Sequence, residues 1–492
     1  MTKPQPNILF ILSDQHAQSA VGCYGDVSGM TPNLDRLASE GTVFENGYCP
    51  SPICLPSRMS LLTGRQPHEN RCWLNTDVLN SGTPTFAHAL GAAGYRTALI
   101  GRMHYIGCDQ THGFSERLVG DHSANWPGNP TFNHGELEGA PGPNRVSIEK
   151  SGAGTNAYDL KDRDTAAAAV NWLRDTGAAR KNGDPQPFLL TIGFMLPHPP
   201  YVADPEDYEA VDGKVPDVRL DAQSVDEIHP WFARWRRERD IIEIDPEEAR
   251  RSRQAYWGMV RRLDGLIGDV LDELSASGLA DDTLVIYSSD HGDHLGERGL
   301  FWKHTFYDES ARIPFMMRWP GEVPAGERRT QVFDLTNIPA TICEAAQAPW
   351  NKYGRSLLPV AREASAKWED VAFSEYCATE TDPIPTAEPV VQRMMREGRY
   401  KLNYYHGFPP QLFDLESDPD ELTDLSENPE YKPALNRLMS RLKSDWDPEE
   451  VLTEINERQR DNQIMRNWAQ ETKPAETYRW DMPDGKSPGL AR

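Results

Sequence analysis

Asn7 opens an apolar run that continues through Leu12, NILFIL, and stops abruptly at Ser13, Asp14, Gln15 and His16. A stretch without a polar face predicts a strand covered on both sides, the central parallel strand of an α/β sheet. Open sheets of that type bind ligands beyond the carboxyl ends of their strands, where the polar residues after Leu12 fall. The pattern recurs. PFLLTIGFMLPHPPY predicts a second buried strand, running into a proline-rich loop that carries His198, and TLVIYSS predicts a third that ends in Asp290 and His291. Helices alternate with these strands. TPNLDRLASEG, Thr31 to Gly41, has Pro32 in its first turn and Gly41 past its last. TFAHALGAAGYRTALIGRMHYIG reads as helix, glycine turn and strand. Asp245 to Leu274 carries a helical apolar stripe through Tyr256, Met259, Leu263, Ile267, Val270 and Leu274. Singly, Asp14, His198, Asp290 and His291 read equally as caps, turn residues or satisfied core groups. Two strand-then-aspartate junctions in one chain, one followed by histidine, point to a hard cation (Ca²⁺, Mg²⁺ or Mn²⁺), since zinc favours more histidine or cysteine.

A chain of 492 residues is too long for one small core and fits a large α/β domain with a smaller one. The formal charge of −24 excludes nucleic acid and anionic membranes as partners, because both need clustered Lys and Arg. The one basic run, Arg234 to Arg239 (RWRRER) beside Trp231, reads as a solvated helix face. The leader before Asn7 lacks a signal peptide's apolar region, and no stretch reaches membrane-spanning length, so the expectation is a cytoplasmic protein without membrane contact. Seven cysteines, an odd number without metal-finger spacing, suggest reduced thiols, one of them reserved for chemistry.

That one is Cys54. SPICLPSRMSLLTGR, Ser51 to Arg65, resembles the signature of the type I sulfatases of the alkaline phosphatase superfamily: Cys, any residue, Pro, Ser, Arg, then Thr-Gly-Arg. Without the resemblance, Cys54 reads as a small buried hydrophobe at a helix start. The family converts this cysteine to formylglycine, which implies a formylglycine-generating enzyme as a partner during maturation. The resemblance implies an alkaline-phosphatase-like α/β fold, a large mostly parallel sheet between helices with a smaller carboxyl-terminal α+β subdomain. The expected divisions are a catalytic domain over 1–365, a subdomain over 366–455 and a tail over 456–492 that packs on its own domain or at a subunit interface of a homo-oligomer. NILFILSDQH carries over Asp14 as a metal ligand; SSDHGDHLGERGLFWKH carries over Asp290 and His291 as ligands and Lys303 as a cation on the sulfate or leaving oxygen; GRMHYIG carries over His104, and LPHPPY His198. Two departures stand out. Many sulfatases have a second aspartate where this chain has Gln15, so the metal loses a carboxylate unless Gln15 or His291 compensates. The usual lysine before the active-site histidine is Arg102, a forked donor instead of a point charge. These variants resemble the bacterial branch of choline sulfatases, arylsulfatases and phosphonate monoester hydrolases.

The resemblance implies hydrolysis of a sulfate monoester to alcohol and sulfate. One divalent metal, calcium first, would be held by Asp14, Asp290 and His291 together with residue 54, and would acidify one hydroxyl of the hydrated aldehyde. Attack on sulfur would give a covalent intermediate, which the second hydroxyl, deprotonated by His104, would release. Arg58, Arg102 and Lys303 would stabilise the transferring group, and His198 or Lys303 would protonate the leaving oxygen. The substrate would be a small aryl, choline or carbohydrate sulfate. A phosphonate monoester or phosphodiester hydrolase is the alternative on the same site, and a non-catalytic binding protein of the same fold is the third reading. His294, His304, Asp293 and Glu297 read equally as surface, supporting or site groups, while Trp73 and Trp126 read as core packing before pocket walls.

Overall fold

The computed structural model describes residues 5–122, 125–126, 137, 140–350, 353–379, 386 and 388–491. Its frame is an eight-stranded sheet made of β1 (Asn7–Asp14), β2 (Thr42–Tyr48), β3 (Arg96–Gly101), β4 (Glu116–Leu118), β5 (Phe188–Pro197), β6 (Thr283–Ser289), β7 (Arg312–Arg318) and β8 (Glu327–Asp334). The spatial order is β8-β2-β7-β6-β1-β5-β3-β4. All strands run parallel except β7, which is antiparallel to both β6 and β2. This is the alkaline-phosphatase-like α/β architecture, mostly parallel and covered by helices.

The first apolar run does what its composition requires. Ile8, Leu9, Phe10, Ile11 and Leu12 are each 0% exposed, which at about 2 kcal/mol per large apolar side chain amounts to roughly 10 kcal/mol of gross burial. Helices Ala157–Lys181 and Pro246–Ala276 pack on the neighbouring strand β5; the buried stripe of the second includes Tyr256, Val260, Leu263 and Ile267.

Strand order explains the site. Ser13 pairs with Ser289, so Asp14 and Asp290 leave the sheet side by side. On the other side of β1, Asp14 is level with Pro197, and β5 runs directly into His198. Gly101 of β3 pairs with Gly193 of β5, and Arg102 follows it. Four neighbouring strand ends thus supply Asp290, Asp14, His198 and Arg102 to one edge.

A four-stranded antiparallel sheet, Val371–Ala378, Val390–Glu397, Tyr400–Tyr405 and Gln411–Asp414 in that order, forms the carboxyl-terminal subdomain with helix Lys432–Leu442. Met395, Leu402, Leu412, Leu438 and Trp446 build its own core, which Trp73 and Leu74 of the large domain join. Helix Pro448–Thr472 follows, and the tail returns to the large domain, where Gly489 and Leu490 pair with Thr155 and Gly154. Trp480 donates its backbone N–H to Asp121 (2.8 Å) and its indole N–H to Asp164 (2.8 Å).

The basic run departs from its solvated reading. On helix Pro230–Glu238, Trp231 and Trp235 are 0% exposed and Arg236 is 4% exposed, and Arg239, just past the helix end, is 8% exposed. Arg236 donates to the carbonyls of Gln223, Ile241 and Ile242. The two indoles turn this face inward, and the arginine beside them is satisfied by backbone carbonyls in place of water. All seven cysteines are free thiols, and no helix among the described residues is long and apolar enough to cross a membrane.

Candidate active site

Cys54 is the first residue of helix Cys54–Thr63, every residue of which is buried. The Thr-Gly-Arg end of the motif has a structural basis. Gly64 closes the helix in the left-handed conformation (φ 71°), its N–H bonding to the Ser60 carbonyl, and Arg65 lies over the Tyr353 ring. Pro56 falls in the first turn, where a missing N–H costs nothing. Arg58, one turn past Cys54, points back into the cluster.

The Cys54 sulfur lies 3.5 Å from Asp14 Oδ1, 3.3 Å from His291 Nε2 and 3.2 Å from Lys303 Nζ. Each aspartate divides its oxygens. Asp14 Oδ2 accepts from Arg102 Nε (2.5 Å) and Arg58 Nη2 (3.1 Å), and Asp290 Oδ2 accepts from Arg58 Nε (2.8 Å). Ligand atoms of Asp14, Cys54, Asp290 and His291 all lie within 4.8 Å of one another. The arginines thus fix the carboxylates from outside while one oxygen of each remains for the interior. Burial lowers the His291 imidazole to about 4, so its ring is neutral and can ligate. Burial pushes the Asp14 carboxyl up, but Arg102, His198, Arg58 and Lys303 outweigh it and hold the group well below the usual carboxylate range. Two carboxylates and a neutral imidazole converging in a buried site fit a hard divalent cation.

Gln15, at a left-handed φ of 64°, donates its backbone N–H to Asp290 Oδ1 (3.0 Å). Its side-chain carbonyl accepts from Lys303 Nζ (2.6 Å), and its amide N–H donates to Asp293 Oδ2 (2.6 Å), which also accepts from Tyr201.

His104, expected from sequence to act as a base, is held by Arg102. Arg102 Nη2 lies 3.0 Å from His104 Nδ1, and a guanidinium only donates, so the neutral ring carries its proton on Nε2. Burial, then Arg102, hold this imidazole well below 6.5, which makes it an N–H donor. His198 has the opposite tautomer: its Nδ1 donates to the Pro199 carbonyl (2.6 Å), leaving the Nε2 lone pair free for Cys54, to which it is hydrogen-bonded. Burial, then Lys303, lower it too.

Sequence reasoning missed Asp121. Its Oδ2 accepts from the backbone of His104 (2.8 Å) and Met103 (3.2 Å) and from Arg117 Nη2 (2.9 Å), fixing His104 at a left-handed φ of 64°. No local signal in GDH marks it; the contact arises because β4 pairs with β3. Among the weaker candidates, Asp293 joins the site through Gln15, His294 meets Thr305 (2.7 Å), Glu297 accepts the Arg219 and Leu220 amides, Trp73 sits in the second core, and Trp126 packs edge-on to Trp468.

A model of the family described as sulfatase matches residues 6–348. The chain belongs to the sulfatase family. As a member it is a sulfuric ester hydrolase, and a second model, for the carboxyl-terminal region of N-sulphoglucosamine sulphohydrolase, matches residues 296–447 of this sulfatase. It is 34% identical to a choline-sulfatase of Rhizobium meliloti over 98% of this chain and 94% of the relative. It is 28% identical to an arylsulfatase of Clostridium perfringens over 88% of this chain and 93% of the relative. In structure it resembles the phosphonate monoester hydrolase of Agrobacterium radiobacter, with TM-score 0.74 and 24% identity over 89% of this chain and 95% of that one.

Proposed function

We propose that this sulfatase hydrolyses a small sulfate monoester with Cys54, converted to formylglycine, as the nucleophile-bearing residue and one divalent cation, calcium first, at Asp14, Asp290 and His291. The reading rests on one observation: the Cys54 sulfur sits within 3.5 Å of a carboxylate, an imidazole and an ammonium that no local packing requirement would gather. Formylglycine supplies a carbon able to carry two hydroxyls, one to attack sulfur and one to release it. A bound cation supplies charge that acidifies a neighbouring hydroxyl and draws electrons from the ester oxygens.

The chain's own residues do the rest. Arg58 and Arg102 hold the carboxylates, and with Lys303 they place three cations against the two carboxylates, favouring an anionic ester in a desolvated site. His198 Nε2 is the group that takes a proton at residue 54, and Lys303 gives one to the leaving oxygen. His104 directs its Nε2 proton into the site. The mass of the peptide spanning Ser51 to Arg65, from a host with the formylglycine-generating machinery, tests the nucleophile. Conversion at Cys54 is the expected result, and an untouched thiol would overturn the mechanism. Rate constants on matched sulfate and phosphonate esters then decide the substrate: a preference for phosphonate would replace the sulfatase reading by the phosphonate one, and no turnover after conversion would leave a binding protein.

A further inference from the structure

One residue beyond Lys303, the chain buries a group that the proposed mechanism does not use. His304 is 1% exposed, and neither Nδ1 nor Nε2 has a hydrogen-bond partner among the described residues. A buried polar atom without a partner is costly, and this ring carries two. Its backbone adds to the cost: φ is 77° at His304 and 61° at Trp302, so both neighbours of Lys303 sit in a left-handed region that non-glycine residues rarely adopt. Solvent competition does not explain the arrangement, and packing alone would be served better by an apolar ring.

The surroundings indicate what the imidazole faces. Its backbone N–H bonds to the Pro52 carbonyl (3.3 Å), two residues before Cys54, so it adjoins the motif loop. Trp235 and Tyr376 lie against the ring, with centroids at 4.9 and 5.4 Å. Trp231 lies 6.1 Å from Trp235 and 6.3 Å from Tyr376, and Arg239 stacks on Trp235 at 4.6 Å. Burial, followed by Lys303 and Arg239, keeps the imidazole neutral. A neutral imidazole offers one N–H and one lone pair, the complement of a hydroxyl, which both accepts and donates. Trp235 and Tyr376 pack on the imidazole itself and fix its plane, which leaves the ring edge, where both nitrogens lie, to meet a ligand.

We propose that His304, walled by Trp235 and Tyr376, is a specificity residue that binds a free hydroxyl on the ring of the departing alcohol, beside the sulfated oxygen. The inference rests on the sulfatase reading for the placement of that alcohol and deepens it by naming the substrate class, hydroxylated cyclic alcohols. Phenolic and sugar alcohols share this chemistry.

Two matched pairs separate the sources: catechol monosulfate with phenyl sulfate, and trans-cyclohexane-1,2-diol monosulfate with cyclohexyl sulfate, the saturated ring standing for a sugar alcohol. The H304F variant keeps a ring between Trp235 and Tyr376 but no nitrogen. Its kcat/KM should fall about 10- to 100-fold on the hydroxylated member of at least one pair, the worth of one or two hydrogen bonds, and less than about threefold on the other member. The pair that responds identifies the source. Equal loss on both members of each pair, or no loss on any, overturns the proposal. Should H304F fail to fold, H304Q, which retains a donor and an acceptor, should keep the preference that H304A loses; equal preference in the two overturns it. Calorimetric binding of the same esters to C54A and to C54A/H304F separates this inference from the sulfatase reading. Hydroxyl-dependent binding to C54A that is lost in C54A/H304F, with no turnover by the Cys54-bearing protein after conversion to formylglycine, retains the subsite and removes the sulfatase reading; turnover by that protein without hydroxyl discrimination does the reverse.

Discussion

Replacing Asp121 by alanine and by asparagine separates what this carboxylate does for His104 from what it does for the fold. Oδ2 receives the His104 and Met103 amides and Arg117 Nη2, while Oδ1 lies 3.8 Å from Arg102 Nη1; the side chains of Asp121 and Arg117 are 1% and 0% exposed. D121A strands two buried amides and a buried guanidinium, a loss of about 3–5 kcal/mol at roughly 1 for each neutral donor and 1.5–3 for the charged one. D121N keeps an oxygen for the amides and loses only charge toward the arginines, about 1.5–3 kcal/mol. The left-handed backbone at His104 depends on those amide bonds. D121A should therefore lower kcat about 100-fold, the usual effect of misplacing a group by an ångström, with KM nearly unchanged, while D121N stays within about fivefold of wild type. Urea melts read the stabilities and steady-state kinetics the rates; equal loss of kcat in the two variants would refute the clamp. The sign with pH is also fixed. Burial raises this carboxyl, but Arg117, Arg102, Lys161 and His104 hold it far below the usual carboxylate range. A carboxylate depressed in the folded state stabilises fully above its unfolded pKa and loses that contribution as pH falls toward the folded value, so the gap between wild type and D121N is open at neutrality and narrows below about pH 4.

Two further outcomes are expected. In the proposed mechanism His198 and His104 act as neutral rings, and burial lowers both below the usual imidazole value, so log kcat/KM should hold from about pH 8 to 6.5 and its acid limb should lie lower still. Were His198 instead the acid, the rate would fall as pH rises through that same lowered value, so a plateau through neutrality leaves Lys303 as the donor. Chelation should abolish turnover and lower Tm, since the inward oxygens of Asp14 and Asp290 are then left together in a buried site, and calcium should restore both. Full activity in a preparation holding less than about a tenth of an equivalent of metal per chain would refute the assignment.

What the sequence shows and what it hides divide along physical lines. Short continuous apolar runs that break off into polar residues fit doubly covered strands, so the sheet and the residues at its carboxyl ends, Asp14, His198, Asp290 and His291, are legible in local pattern. The Cys54 motif shows itself because its glycine, proline and arginine have fixed local tasks. Asp121 is hidden because its role depends on β4 registering beside β3 and on backbone amides that sequence does not display. The tautomers of His104 and His198 are likewise set by tertiary neighbours, Arg102 and the Pro199 carbonyl. On helix Pro230–Glu238 the arginines suggest solvent, whereas Trp231 and Trp235 decide the orientation: burying two indoles outweighs the cost of covering Arg236 once carbonyls receive its donors.

The two departures from the usual family pattern act together on the charge of the site. An aspartate at position 15 would place a third carboxylate beside Asp290 and face Asp293 with a like charge. Glutamine is neutral and one methylene longer, so it gives its N–H to Asp293 and its oxygen to Lys303. The Lys303 ammonium then remains uncompensated by that neighbour while lying 3.2 Å from the Cys54 sulfur. At position 102, a lysine could offer one point of charge, whereas the guanidinium reaches Asp14 through Nε and His104 through Nη2 at once, fixing a carboxylate and a tautomer together. Both changes move the site toward protein-borne positive charge and away from carboxylate. A sulfate monoester, a single anion that must give up its hydration on entering a buried cleft, is the kind of ligand such a balance favours.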